Sequence, residues 1–286
     1  MFNLESISLI ASLVTVILTL VFAIFAFVSS RRNPMTAAER RLSRQGKAGE
    51  SRNTMSLIVW LLTVLTLVFI TLTIVFRAIQ TGHGPFSNMY EFAIAFAWGI
   101  VVMGIFFEWR HKTAAVKNMG LIVALLLLIF ATVQHAKPEP LMPALQQSLL
   151  LSVHVATAVA AYGIFTIGFG AAILFLVQNR RNSIWLPDKE VLDTMSYQAV
   201  IIGFPFLTLT IVLGALWADI AWGRYWGWDP KETASLVTWL LYATYMHARL
   251  MRGWRGVKTA ILLIAGFGAI LLTFFGNYIF TGLHAY

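Results

Sequence analysis

Charged residues divide the chain into long apolar runs. Eight such runs lie near 6–29, 56–79, 90–108, 115–134, 147–177, 197–217, 232–250 and 258–281. Each is about 20 residues or more, enough to cross a hydrocarbon core roughly 30 Å thick at about 1.5 Å per residue. The pattern predicts an all-α, polytopic integral membrane protein of about eight transmembrane helices. An even number of crossings puts both termini on one side. The first run follows a charge-poor start and has no small-residue cleavage site after it, so it reads as a retained helix rather than a signal peptide. The fifth run exceeds what a bilayer needs and is expected to tilt or to stand out into water.

Composition agrees with this reading. Of 286 residues, 59% are hydrophobic and 12% charged, against roughly 45–50% and 25% in soluble domains, which excludes an ordinary soluble enzyme. Cysteine is absent, so any thiol chemistry must draw on a partner's thiols. The net charge of +9 raises the question of a nucleic-acid partner, but position answers it. Seventeen of the 21 Lys and Arg fall in the segments 30–55, 109–118, 178–196 and 249–258, and the other side holds only Arg77, Lys137, Arg224 and Lys231. This loop-by-loop alternation predicts cytoplasmic basic loops and extracytoplasmic termini, and it removes nucleic acid as a partner. Segment 30–55 reads as a mobile or surface-lying linker. The chain thus divides into 1–55, a first helix with its linker, and 56–286, a seven-helix domain. No internal repeat is evident by eye, which weighs against a transporter with inverted repeats.

The outer segments are 80–89, 135–146, 218–231 and the tail after 281. In the first, Gly82-His-Gly-Pro-Phe-Ser-Asn-Met-Tyr-Glu91 reads as a turn and a helix start, with Ser87 or Asn88 as cap and Glu91 as its capping-box partner. His83 reads as a solvated loop histidine. In the third, Asp229, Pro230 and Glu232 form an N-cap, a first-turn proline and the answering carboxylate. Trp217, Trp222, Trp226 and Trp228 crowd into 12 positions together with Tyr225, out of ten tryptophans in all.

Two readings stand for these rings. An interfacial belt sets indoles at headgroup depth, one or two per helix end. Alternatively, Trp222 and Trp226, four apart with Gly223 and Gly227 beside them, form an aromatic shelf that a large planar ligand can approach. The density of rings favours the shelf. An iron-bearing planar ligand also needs axial donors, and imidazole suits haem iron. His83, His135, His154 and His284 all belong near this face. An isolated histidine in an apolar helix costs on the order of several kcal/mol unless it finds partners, so His154 and His284 are the axial candidates. His247, 17 residues after Pro230, falls about 25 Å below the outer end. It is either an intramembrane functional group or a boundary residue snorkelling beside Arg249. His111, in a basic inner loop, reads as solvated.

The run Trp222-Gly-Arg-Tyr-Trp-Gly-Trp-Asp-Pro-Lys-Glu-Thr233 resembles the tryptophan-rich signature of the haem-handling cytochrome c assembly proteins. Its Asp-Pro-Lys-Glu ending is similar to that of the CcsA/ResC branch of System II. The resemblance extends over nearly the whole chain, through 82–91, His154 with Tyr162, and the last helix with His284. It implies a haem-handling subunit of a cytochrome c synthase that works with a CcsB/ResB-type membrane subunit, carries haem b to the outer face and presents it to apocytochrome c at a Cys-x-x-Cys-His motif. It further implies an inner (plasma) membrane location, or a thylakoid in a photosynthetic source. By that resemblance His154 and His284 ligate haem at the outer face. His247 ligates it within the membrane, where the second histidine belongs to the partner. Trp217, Trp222, Trp226, Trp228 and Asp229 complete the cofactor-binding candidates, and no catalytic acid, base or nucleophile stands out. A transporter or channel for an organic ion gated by the tryptophans, and a membrane scaffold, are the competing readings.

Overall fold

A computed structural model describes residues 4–32, 54–84, 86–134, 137 and 148–279. Among the described residues there are eight helices: α1 Leu4–Arg32, α2 Thr54–Thr81, α3 Met89–His111, α4 Ala115–Val133, α5 Ser148–Arg181, α6 Lys189–Trp222, α7 Pro230–Leu250 and α8 Val257–Ile279. Seven of them are long and apolar enough to cross a membrane; α7 is not. Its polar residues explain the difference, and the bundle absorbs part of them, since Thr238, Tyr242 and Tyr245 are buried against neighbouring helices. The expected helix start at 197 moves back to Lys189. The added turns contain Leu192, Met195 and Ser196, all buried, and Asp193, which pairs with Arg249 of α7 and accepts from the Gly256 N–H. Of the charges that broke the apolar run there, Asp193 is used between helices, while Asp188 and Glu190 stay exposed.

The core of the bundle is mostly apolar, but α1 turns its polar residues inward. On α1 the residues Glu5, Ser8, Ser12, Thr15 and Thr19 are buried, whereas Ile7, Ile10, Val14 and Ile24 are exposed. The polar stripe faces α2, where Thr63, Thr66 and Thr73 are buried, and Thr73 Oγ1 donates to Ser8 Oγ at 3.0 Å. Small hydroxyl residues let helices approach closely where lipid offers no hydrophobic reason to associate. The central helix is α5, which packs on α3, α4, α6 and α8. At its crossing with α3, a Cβ on Gly163 would meet the Gly99 carbonyl oxygen at 2.7 Å, so the backbones could not come this near with larger residues.

Two buried ionic clusters tie the helices together. At one end, Arg77 Nε donates to Glu91 Oε1 at 2.9 Å and Nη1 lies 3.6 Å from Glu5 Oε1, while the Tyr90 hydroxyl donates to Glu5 at 2.7 Å. Further from that end, Lys117 of α4 is buried, with Nζ 2.8 Å from Glu108 Oε2 and donating to Thr63 Oγ1 at 3.1 Å. Lys117, counted above with an inner loop, is therefore a packed helix residue.

Candidate functional site

The end of the bundle that carries the tryptophan segment holds a cavity with an empty volume of about 1040 Å³, counting the part open to solvent. Five helices build its wall: α3, α5, α6, α7 and α8. Local signals set up the rims. Asn88 Oδ1 accepts from the Glu91 N–H at 3.0 Å and starts α3, and the Glu91 carboxylate accepts from the Ser87 N–H at 2.9 Å. Asp229 starts α7 through a complete capping box, in which Glu232 Oε2 also accepts from the Gly227 N–H at 2.8 Å and shapes the loop.

His154 stands on α5 within the cavity wall. Its Nδ1 lies 2.9 Å from the Thr210 carbonyl oxygen of α6. A carbonyl only accepts, so Nδ1 carries the proton and the lone pair of the neutral ring sits on Nε2, the tautomer a metal ligand requires. Gly214 makes room for this ring: a Cβ there would lie 2.9 Å from His154 Cε1. Thr210 Oγ1 donates to Thr157 Oγ1 at 3.1 Å, and Thr157 Oγ1 donates to the His154 carbonyl, which holds the two helices in register.

The tryptophans divide among several roles. Trp217 and Trp226 line the cavity. Trp222, the last residue of α6, packs its ring edge-on against Trp217 with centroids 4.8 Å apart. Trp222, expected to form a shelf with Trp226, stands beside Trp217 outside the cavity wall, where the two indoles are Trp217 and Trp226. Trp228 is 69% exposed, lies perpendicular to Trp226 at 5.9 Å and is held at φ +56°. That left-handed backbone costs roughly 1–2 kcal/mol for an L-residue. Asp229 is buried and occupied by its cap. His247 lies far along α7 from the cavity and is exposed on the bundle surface. His284 and His135 lie outside the described residues. His83 is not a free loop group: its Nδ1 lies 2.8 Å from the Gly84 carbonyl and 3.9 Å from Glu91 Oε2.

Several lining residues escaped the sequence reading. Leu151, Val155 and Ala158 share the His154 face of α5, together with Tyr162 of the motif resemblance, and Phe92 and Phe96 share one face of α3. Their i, i+3, i+4 spacing was a usable signal, masked because every face of these helices is apolar. Lys231 also lines the cavity, with its ammonium 5.5 Å over the Phe92 ring. Burial pushes this ammonium down to about 8, opposed by the nearby Asp229 carboxylate.

A bundle of long apolar helices with an aromatic, histidine-bearing cavity at one end is the architecture of a polytopic membrane protein with a pocket at one face. Residues 86–284 match the family described as cytochrome C assembly protein, and the chain belongs to that family. The cytochrome c biogenesis protein CcsA of Prochlorococcus marinus (strain MIT 9312) is 35% identical over 263 residues, covering 80% of this chain and 84% of the relative. CcsA of Trieres chinensis is 37% identical over 250 residues, covering 73% and 80%. Among solved structures, the cytochrome c heme lyase CcmF superimposes with a TM-score of 0.64 at 17% identity. The match takes in 95% of this chain but spans only 46% of that one, and the likeness is one of fold.

Proposed function

We propose that the cavity seats haem b, with His154 as one axial ligand through Nε2 and with Trp217 and Trp226 against the macrocycle, and that it presents the haem to apocytochrome c. The chain is a haem-handling subunit of cytochrome c biogenesis and an integral membrane protein. The observation that carries the detailed reading is the His154 ring, fixed by the Thr210 carbonyl inside an aromatic cavity. The donor set suits a porphyrin, which brings four equatorial nitrogens and asks the protein for axial imidazole and flat apolar walls. His284 is the proposed second ligand, on the motif resemblance.

When bound, haem supplies two vinyl groups that accept thiols. The thiols come from the apoprotein, since this chain has no cysteine. The contribution of the chain is to position and to exclude water: α5 and α6 hold the imidazole, and the α3 phenylalanines with Trp217 and Trp226 wall the seat. Asp229 and Trp222 support the rim, and Trp228 stands exposed where an incoming peptide meets it. His247 is exposed on the bundle surface, where the CcsB/ResB-type partner that the motif resemblance implies can reach it. The charge split supports extracytoplasmic termini, in the inner membrane or, in a photosynthetic source, the thylakoid.

The test is the optical spectrum and cytochrome c yield of His154→Gly in the full chain expressed with its partner. Haem content and maturation should fall to near background with the protein still in the membrane, and added imidazole should restore part of both. Normal haem and normal maturation in this variant would remove His154 from the site.

A further inference from the structure

The cavity wall carries few ionisable groups: His154, Glu232 and Lys231, beside the phenols Tyr162 and Tyr225. His154 is oriented by Thr210. Glu232 is committed to the loop, its Oε2 accepting from the backbone N–H groups of Gly227 and Asp229. Lys231 is different. Among the described residues its ammonium has an aromatic face for a neighbour, the Phe92 ring at 5.5 Å, and no carboxylate at ion-pair distance. Asp229, two residues earlier, is buried and accepts instead from the Lys231 backbone N–H at 2.9 Å. A lysine on the first turn of a helix has four rotatable carbons with which to reach water. Here it lies along the wall of an apolar cavity, where its charge is held at a desolvation cost.

We infer that Lys231 is the anion-reading residue of this seat, pairing with a carboxylate on the edge of a flat, otherwise apolar ligand, and that for haem this group is a propionate. The inference rests on the haem reading above and extends it from iron and ring face to the charged edge. Aromatic walls bind any porphyrin face alike, so they leave rotation of the disc in its plane undetermined. One cation at one point of the wall removes that freedom, because only one edge of haem carries carboxylates. A Lys–carboxylate pair in a partly desolvated cavity is a charge-assisted hydrogen bond, stronger than a neutral one. The low ammonium value noted above reflects the burial cost that such an anion offsets.

The experiment compares two probes, iron protoporphyrin IX and its dimethyl ester, titrated into the purified full-length chain in detergent. The native chain should prefer the diacid by about tenfold, the scale expected for one charge-assisted pair in a partly open site. Lys231→Gln should erase that preference and leave ester affinity within about twofold of native, a change of only about 0.4 kcal/mol in binding free energy. Lys231→Arg, which keeps the charge, should retain the preference. A Lys231→Gln variant with the native preference overturns the inference, as does a native chain that binds both probes equally. Loss of the ester together with the diacid in Lys231→Gln overturns it too, since the lysine then builds the wall rather than reading charge. A native chain that binds neither probe overturns the haem seat itself, and the inference with it.

Discussion

Gly214 shows how much of the site turns on one missing carbon. Three residues before Trp217 on the same helix, it holds open the space into which the His154 ring fits, with a hypothetical Cβ 2.9 Å from Cε1 and 3.2 Å from Nδ1. Gly214→Ala should push the imidazole off the Thr210 carbonyl, and helix propensity alone would favour the alanine by about 1 kcal/mol. The expected outcome is unchanged or raised thermal stability with haem content reduced several-fold, checked by thermal unfolding and absorbance on one preparation. Full haem content would show that the ring has another place to go. The N-caps at Asn88 and Asp229 were readable in advance because each lies within three residues of the group it caps; only Asp229 completes a capping box, since the Glu91 carboxylate accepts from the Ser87 N–H rather than from that of Asn88. The His154–Thr210 contact was not, because nothing in a string of letters brings together residues 56 apart.

At the scale of the element, the apolar runs located the helices and failed where a helix turns polar residues inward. The first turns of α6 are such a place, with Asp193 paired to Arg249 and Ser196 buried, whereas the run at 232–250 located α7 to within two residues although Thr238 and Tyr245 turn inward. The junction of α1, α2 and α3 depends on the same principle in stronger form. Arg77, 2% exposed, serves two carboxylates, Glu5 and Glu91, and its Nη2 donates to the Lys137 carbonyl at 3.2 Å. Removing a buried counter-charge typically costs about 3–5 kcal/mol. Arg77→Met should lower the unfolding temperature in detergent and the yield in membranes, and adding Glu91→Gln should recover part of the loss. An unchanged melting temperature in Arg77→Met would mean that these helices are held by packing alone. Glu91 also binds Ser87 at the approach to Phe86, so this junction sets one rim of the cavity.

For the whole molecule, the charge split predicts sidedness. A reporter fused after Tyr286 should read as extracytoplasmic, and one inserted within 36–50 as cytoplasmic; opposite readings at both points would invert the arrangement and move the aromatic cavity to the inner face. Such a prediction rests on loop charge acting against a bilayer of fixed thickness, and it counts α7 as a crossing although that helix by itself is too polar to qualify. The all-helical class, the caps and the tryptophan-rich signature are likewise read from the order of residues, each a matter of residues within about a turn or a span of one another. The cavity is of another kind. Its wall runs from Phe86 to Phe274 and exists only when five helices adopt particular rotations about their axes. Those rotations put Trp217 inside with Trp222 beside it, and they turn His154 toward the cavity and His247 away from the bundle, while the loop 223–229 sets Trp226 in the wall and leaves Trp228 exposed. In a helix that is apolar on every face, periodicity carries no instruction about which side faces the protein, so packing decided it through close glycine approaches and buried polar pairs between residues far apart in the chain.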